Sequence, residues 1–328
     1  MTKAPQHLNS MRRMLLAGSC TTALMLHAPA MAQDLNFLFP VSEIQERLTV
    51  RPFTVADWRG SRADGDRTSR VTLSYDDGSV MLAKFAPAPP NGGVFNNEPR
   101  YEVAAYVVQT LFLDEDEYVV PPTVMRAFPL EFVLAHMPGE RPTFREAPGS
   151  VLVALSYWLI GVTPENFWDP ERARSDSVYA RHVANFNILT HVIRHTDANV
   201  GNFLISEHHE RPRVYSVDNG VAFRSRESNR GTMWRDLQVE RLPRGTVERL
   251  RQITYEGLTA ALGVLVEFEV RDGTLVQVSP GPNMSRGRGV RRSAERIQLG
   301  LTDGEIRDVE QRIRNLVRDV DRGRLQLF

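Results

Sequence analysis

Two stretches of the chain, HTDANVGNFLI at residues 195–205 and VYSVDNGVAF at residues 214–223, decide how the rest of the sequence is interpreted. Each contains a short apolar run typical of a strand, and a polar turn separates the two runs. Asp197 and Asn202 precede the first run, and Asp218 ends the second. The pattern predicts a hairpin with oxygen-bearing side chains at one end.

Strand pairing brings these side chains together. In an antiparallel pair the start of the first strand lies beside the end of the second, so pairing Ser206 with Val214 places Asn202 opposite Asp218. An amide oxygen beside a carboxylate suits Mg²⁺ with bound phosphates. Asp197 would then face the same point and accept a proton from an incoming hydroxyl. Phosphoryl transfer divides the roles in this way.

The lysine content is the second unusual feature. The 40 basic residues include only two lysines, Lys3 and Lys84. Lys84 lies near the end of a predicted hairpin, RVTLSYDDGSVMLAKFA, with Asp-Gly at its turn. A helix, NNEPRYEVAAYVVQTLFL, follows, with Glu102 on the flank of its apolar stripe. A compact ammonium fits between a carboxylate and phosphate oxygens where a planar guanidinium does not. Composition alone shows only that Lys84 is an unusual residue in an arginine-rich chain.

Together, these motifs resemble those of the atypical kinases over about residues 70–225. The closest parallels are type II phosphatidylinositol 4-kinases, secretory-pathway kinases of the Four-jointed and Golgi casein kinase group, and HipA-type kinases. The resemblance implies a bilobal, protein-kinase-like α+β fold. Its N-lobe, residues 33–140, would be small and mainly β with one helix, and its C-lobe, residues 141–328, larger and mainly α.

The resemblance also implies roles for the residues named above. Asp197 would be the catalytic aspartate, and Asn202 and Asp218 would be metal ligands. An ion pair of Lys84 with Glu102 would hold the nucleotide phosphates. The implied cofactors are ATP and Mg²⁺ or Mn²⁺, and the implied partners are a nucleotide and a hydroxyl-bearing acceptor.

Three further features of the sequence bear on the resemblance to kinases. The stretch LEFVLAHMPG is expected to be a strand and, around Met137, to form the hinge that binds adenine. Thr196 precedes the catalytic aspartate, where typical protein kinases have an arginine. No clear glycine-rich phosphate loop precedes Lys84, and RGSRADGD at residues 59–66 is the segment that could serve instead.

The N-terminus has the layout of a secretory signal peptide. Lys3, Arg12 and Arg13 precede the apolar run MLLAGSCTTALMLHAPAMA, which ends in a small-x-small cleavage site. We expect cleavage after Ala32, export to the periplasm or the exterior, and no stable membrane span after the cut.

The composition excludes several classes of function. Residues 1–32 hold three basic and no acidic residues, which leaves 37 basic against 40 acidic side chains in the mature chain. This balance predicts no nucleic-acid partner. Cys20 is the only cysteine and lies in the predicted leader, so disulfides, thiol nucleophiles and cysteine-ligated metals are excluded.

The second half of the chain is expected to be mainly helical. The stretches SVLVALSYWLI and VYARHVANFNILTHVIRH are predicted helices, and VEFEVRDGTLVQV is a predicted hairpin. A last helix begins at Thr302, with Glu305 completing a capping box. The arginines at 286, 288, 291, 292 and 296 are interpreted as a solvated loop, with an anion-binding strip as the alternative.

The function that this sequence favours is an exported atypical kinase that transfers the γ-phosphoryl group of ATP to a hydroxyl of a protein, sugar or lipid. The same machinery could transfer a nucleotidyl group instead. A pseudokinase that acts as a binding module is a second alternative, although a decayed site would be expected to have lost a member of the set. A third alternative is a metallohydrolase centred on His191 and His195, which stand four apart on a helix.

Overall fold

Five strands in the first half of the chain build an antiparallel sheet. They are β1 (Thr54–Gly60), β2 (Ser69–Ser74), β3 (Val80–Pro87), β4 (Thr123–Pro129) and β5 (Ser150–Tyr157), in the order β1-β2-β3-β5-β4. The structure is a computed structural model, and it describes residues 36–61, 67–93, 98–223 and 232–328. The predicted β2–β3 hairpin is present, and its turn contains Gly78 at φ +79°, a conformation that glycine adopts without steric cost.

The two faces of this sheet have different neighbours, because side chains alternate along each strand. On β3, Phe85 joins an apolar cluster with Leu48 of α1 (Val41–Thr49). Lys84 points to the other face, where α2 (Pro99–Gln109) lies. This helix is buried along almost its whole length, since it packs between the sheet and the helices that follow.

The later part of the chain is richer in helices. The helices are α3 (Leu130–His136), α4 (Pro170–Ser175), α5 (Ser177–Val192), α6 (Thr232–Arg235), α7 (Arg244–Gln252), α8 (Tyr255–Leu262) and α9 (Asp303–Asp321). Short 3₁₀ turns occupy Pro90–Gly92, Glu115–Glu117 and Val200–Asn202. The predicted α+β class is confirmed, with a sheet-rich first lobe followed by a helix-rich part.

Three small sheets accompany these helices. The first contains β6 (Val162–Thr163), β7 (Phe203–Ser206) and β8 (Val214–Ser216), and the second contains β10 (Val266–Arg271), β11 (Thr274–Val278), β12 (Val290–Arg292) and β13 (Arg296–Leu299). A parallel pair joins β9 (Arg241–Leu242) to β14 (Gln326–Leu327). The predicted hairpin at VEFEVRDGTLVQV is β10–β11, and it packs on the α2 side of the first sheet.

Two stretches have the opposite secondary structure to the one predicted for them. The stretch SVLVALSYWLI, predicted as a helix, contains the strand β5, and LEFVLAHMPG, predicted as a strand, contains the helix α3. All eight residues of β5 are buried, because the strand pairs on both edges and is covered on both faces. A continuous apolar run of this kind has no period that separates strand from helix.

The position of β5 also bears on the lobe boundary. This strand belongs to the first sheet, so the sheet extends past residue 140, and the division into two lobes there stays a prediction. The described residues, from Asn36 to Phe328, belong to one compact unit. The predicted signal peptide lies outside the described residues. Within the described ranges, no helix has the length and apolar character needed to cross a membrane.

A buried ion pair fixes the start of α2. Arg100 donates from Nη1 to Glu305 Oε2 at 2.8 Å and from Nη2 to Glu305 Oε1 at 2.9 Å. Tyr101 also donates its hydroxyl to Glu305. The same glutamate completes the predicted capping box with Thr302 at the start of α9. Arg100 is 6% exposed and Glu305 3%, so this bidentate contact joins the two helix starts inside the protein.

Arg100→Met is therefore expected to lower the free energy of unfolding by about 3–5 kcal/mol, because it leaves the Glu305 carboxylate buried without its cation. Urea denaturation followed by circular dichroism measures the loss. Arg314→Met is the matched control on the surface of α9, where Arg314 pairs with Glu310 one turn away. The control is expected to cost less than about 1 kcal/mol. Equal losses in the two variants would contradict the assigned role of Arg100.

The imidazole of His182, on α5, predicts an acid-sensitive fold. Burial lowers the pKa of His182 to about 4, below its ordinary value of 6.5. The unfolded chain therefore takes up this proton at higher pH than the folded one, and stability falls as the pH drops from about 6.5 towards 4. His182→Gln is expected to flatten that part of the pH profile of the unfolding free energy. His209→Gln, which removes an exposed imidazole, is expected to leave it unchanged.

Candidate functional site

A cleft of about 680 Å³ lies against the Lys84 face of the first sheet. Lys84 pairs with Ser156 on β5, and Ser156 pairs with Thr123 on β4, so three polar side chains form a row along the cleft. The facing wall includes Asn202, before β7, and Asp218, after β8. The cleft thus lies between the sheet and the hairpin on which the sequence interpretation depends.

Lys84 contacts two carboxylates at once. Its Nζ lies 3.3 Å from Glu102 Oε1 and 2.8 Å from Asp218 Oδ1. The second oxygen of Glu102 accepts a hydrogen bond of 2.8 Å from the backbone N–H of Asn219. Glu102 therefore joins β3, α2 and the loop after β8, and the structure brings together the lysine and the glutamate that the sequence paired.

The charges in this cluster shift one another's protonation. Burial would lower the pKa of Lys84, but Glu102 and Asp218 outweigh it and raise that pKa. Lys84 lowers the pKa of Asp218, which outweighs the opposite effect of burial. Burial raises the pKa of Glu102 even though Lys84 acts against it. The ammonium is thus held charged, and the more exposed of the two carboxylates, Asp218, is held ionised.

Two amide side chains hold Asp197. Asn202 Nδ2 donates to the Asp197 carbonyl oxygen at 2.9 Å and to its Oδ2 at 3.2 Å. Asn199 Nδ2 donates to Asp197 Oδ1 at 3.1 Å, and its own side-chain oxygen accepts from Gly201 N–H at 2.9 Å. The sequence interpretation missed Asn199, although its position in the N-cap of the 3₁₀ turn is a typical one for asparagine. Asp197 itself is not among the lining residues of the cleft.

The predicted register of the hairpin is wrong by one residue. Phe203 pairs with Ser216 and Ile205 with Val214, so Val217 rather than Asp218 faces Asn202. Val217 N–H donates to the Asn202 carbonyl oxygen at 2.9 Å, which extends the ladder to that point. A slip of one residue ordinarily sends a side chain to the other face. Asp218 adopts φ +61° immediately after the ladder, and its carboxylate still contacts Lys84 in the cleft.

The segment before Asp197 is joined to the loop after Asp218. The backbone N–H and the hydroxyl of Thr196 both donate to the Val221 carbonyl oxygen at 3.0 Å. His195 is fully buried in the same region, and burial lowers its pKa. These contacts hold the two polar loops next to each other where the first one leaves α5.

Other residues singled out from the sequence lie elsewhere. Met137 follows α3 and is not among the residues that line the cleft, whereas Trp158, after β5, is. The stretch predicted to be a hinge strand is the helix α3 instead, and adenine binding at Met137 stays a prediction. His191 Nδ1 lies 3.3 Å from the Arg235 carbonyl oxygen. The described residues contain no group of three or more His, Cys, Asp or Glu side chains placed to hold a metal.

The arginine-rich segment near residue 290 is not simply solvated. Arg291 is 2% exposed and donates to the carbonyl oxygens of Ser285, Gly263 and Leu301. Burial lowers its pKa to about 10. Arg296 pairs with Glu267 at 3.1 Å. Arg291 thus ties the second small sheet to the segments around it, whereas Arg296 pairs within that sheet, so these two guanidinium groups already have partners.

The β1–β2 hairpin forms part of the cleft wall. Its lining residues include Gly60, Ser61, Thr68 and Ser69, at the two ends of the connection. Residues 62–66 of the RGSRADGD segment lie outside the described residues. The two strands also place Arg59 and Arg70 in the cleft lining; Arg59 begins the RGSRADGD segment, and Arg70 was assigned no role from the sequence.

Comparison with known proteins finds similarity only at the level of structure. No family model matches the chain, and no curated protein matches it. Among solved structures, it is similar to that of hydra Fam20 with sugar, at 12% identity and TM-score 0.48, over 86% of this chain and 88% of that one. It is also similar to the MAP kinase LmaMPK10 from Leishmania major, at 11% identity and TM-score 0.31, over 66% of this chain and 60% of that one. Neither likeness bears on activity at these values, which leaves the cleft itself as the ground for assigning a function.

Proposed function

We propose that the protein transfers the γ-phosphoryl group of ATP to a hydroxyl-bearing acceptor with the help of a divalent cation. The contact of Lys84 with both Glu102 and Asp218 is the observation that supports this most. A fixed ammonium next to a carboxylate that can bind a metal is the arrangement that phosphoryl transfer needs, because catalysis there consists of positioning and charge neutralisation.

The donor atoms fit Mg²⁺ or Mn²⁺. Asn202 donates to Asp197 through its Nδ2, which leaves its amide oxygen to serve as a ligand, and Asp218 offers a carboxylate whose side chain is 59% exposed. Both are hard oxygen donors of the kind these cations prefer. Two carboxylates, Glu102 and Asp218, face the single ammonium of Lys84, so the cluster favours an added positive charge. A bound cation would neutralise charge on the phosphate groups.

The remaining roles follow from the contacts of each side chain. Lys84 would bind phosphate oxygens, and Glu102 keeps it in place. Asp197 would accept the proton of the acceptor hydroxyl, and Asn199 and Asn202 orient its two carboxylate oxygens. A carboxylate held by two amides meets the requirement that a general base be fixed before the acceptor arrives.

The acceptor would be a hydroxyl of a protein, a sugar or a lipid, and the phosphoryl transfer would take place after export.

A binding module without catalysis is the second candidate function. The observation in its favour is that Asp197 lies next to the residues that line the cleft and is not one of them. Transfer of a nucleotidyl group would use the same Lys84, Asn202 and Asp218.

The first test measures nucleotide binding by the full-length chain. The readout is the thermal shift that ATP causes in the presence of Mg²⁺ or Mn²⁺. Wild type is expected to be stabilised, and Asp218→Ala to lose the metal-dependent part of the shift. Lys84→Arg is expected to lose most of the nucleotide shift, since a planar guanidinium does not fit the space of an ammonium between Glu102 and Asp218. Arg314→Lys, on the surface of α9, is the control. Full binding by Lys84→Arg would show that the lysine has no special role.

The second test separates catalysis from binding. Asp197→Asn is expected to lower the rate of phosphoryl transfer by about 100-fold to 10,000-fold while nucleotide binding stays intact. The measurement follows phosphate transfer from labelled ATP to protein, sugar and lipid acceptors. Asp114→Asn, which changes an exposed aspartate paired with Arg249, is the matched control. Nucleotide binding with no transfer by wild type to any acceptor would favour the binding module.

A further inference from the structure

Three cations lie side by side across the first sheet. Arg59 on β1 pairs with Arg70 on β2, and Arg70 pairs with Lys84 on β3. Directly paired residues of antiparallel strands project their side chains from the same face, with Cα atoms roughly 4.5–5.5 Å apart. All three residues line the cleft. We call Arg59, Arg70 and Lys84 the cation row.

Such a row is unfavourable for the sheet by itself, because like charges directly opposite each other destabilise the pairing of strands. Lys84 is balanced by Glu102 and Asp218. Arg59 has a carboxylate partner, Asp57, at 2.7 Å.

Arg70 has no carboxylate partner among the described residues. Its guanidinium lies over the ring of Trp158, with Cζ 5.4 Å from the ring centroid. An aromatic face holds a guanidinium in place without cancelling its charge. The guanidinium N–H donors of Arg70 are therefore held at the cleft, and no carboxylate among the described residues neutralises their positive charge.

The surroundings of the row suit oxyanions. Hydroxyl-bearing residues, Ser61, Thr68 and Ser69, line the cleft where β1 ends and β2 begins. Arginine forks match the geometry of phosphate oxygens and bind them by paired hydrogen bonds. Lys84 already faces the proposed phosphates of the nucleotide, so the two arginines continue the same positive surface towards the edge of the sheet.

We propose that Arg59 and Arg70 form a second oxyanion subsite, which binds a phosphate-type group of a ligand in the cleft beyond the reach of Lys84. This inference rests on the proposed function, since it places the group next to the nucleotide phosphates. The group belongs either to the phosphate chain of the donor or to an acceptor that is itself anionic. The chemistry of recognition is the same in the two cases.

The test uses calorimetric titration of the full-length chain at fixed ionic strength with three probes. The first is inorganic tripolyphosphate, the second is ATP with Mg²⁺, and the third is phosphoserine added to protein saturated with ADP and Mg²⁺. The variants are Arg59→Gln and Arg70→Gln, with Arg70→Lys as a partial rescue of charge. Arg67→Gln is the matched control, because Arg67 belongs to the same hairpin but pairs with Glu140 and is not among the lining residues.

The subsite predicts that both glutamine variants weaken binding of at least one probe by roughly tenfold or more, the loss expected for a hydrogen bond to a charged group, while Arg67→Gln does not. A loss with ATP assigns the group to the donor, and a loss with phosphoserine alone assigns it to the acceptor. Tripolyphosphate binding that depends on the two arginines, in a protein that does not bind ATP, would uphold the subsite and refute the proposed function. Unchanged affinities in both variants, or a wild type that binds none of the probes, would overturn the subsite even if ATP transfer were demonstrated.

Discussion

The hydrogen bonds to the Glu102 carboxylate are the constraint on which the site depends. One oxygen accepts from Lys84 and the other from the backbone N–H of Asn219, so a single side chain sets the distance between the sheet and the loop after β8. Glu102 can do this only if α2 has the correct position along its axis. Arg100, two residues earlier, fixes that position against Glu305. The geometry of the cleft is therefore determined in part by the start of the last long helix.

Much of the site could be predicted from local sequence because its residues stand at recognisable points of strands and turns. Lys84 follows an Asp-Gly hairpin, and Asn202 and Asp218 flank a second hairpin. The structure brings these three residues to one cleft, although the register of the second hairpin was predicted one residue out. The error arises because the polar turn carries no periodic signal, and a left-handed residue at Asp218 cannot be inferred from an Asp-Asn-Gly turn alone.

Other parts of the fold and of the site depend on contacts between distant residues, which a single sequence does not show. β5 was predicted to be a helix, because burial on both faces removes the alternation that marks a strand, and α3 was predicted to be a strand. The predicted hinge around Met137 was placed on that stretch, which is helical and not a strand. The cation row was not predicted, since Arg59 and Arg70 are 11 positions apart and only the register of β1 with β2 makes them neighbours. Arg100 was likewise unremarkable until Glu305, more than 200 residues later, was found beside it.

The scarcity of lysine has a practical chemical consequence. Lys84 carries the only side-chain amine in the described part of the protein, and it lies inside the cleft rather than on the surface. Acylating reagents attack the neutral amine, and Glu102 and Asp218 keep this one protonated. An amine-directed reagent would thus modify Lys84 only when those two contacts loosen. The reactivity of one atom can report on whether the whole cluster is assembled, with no need for an introduced label.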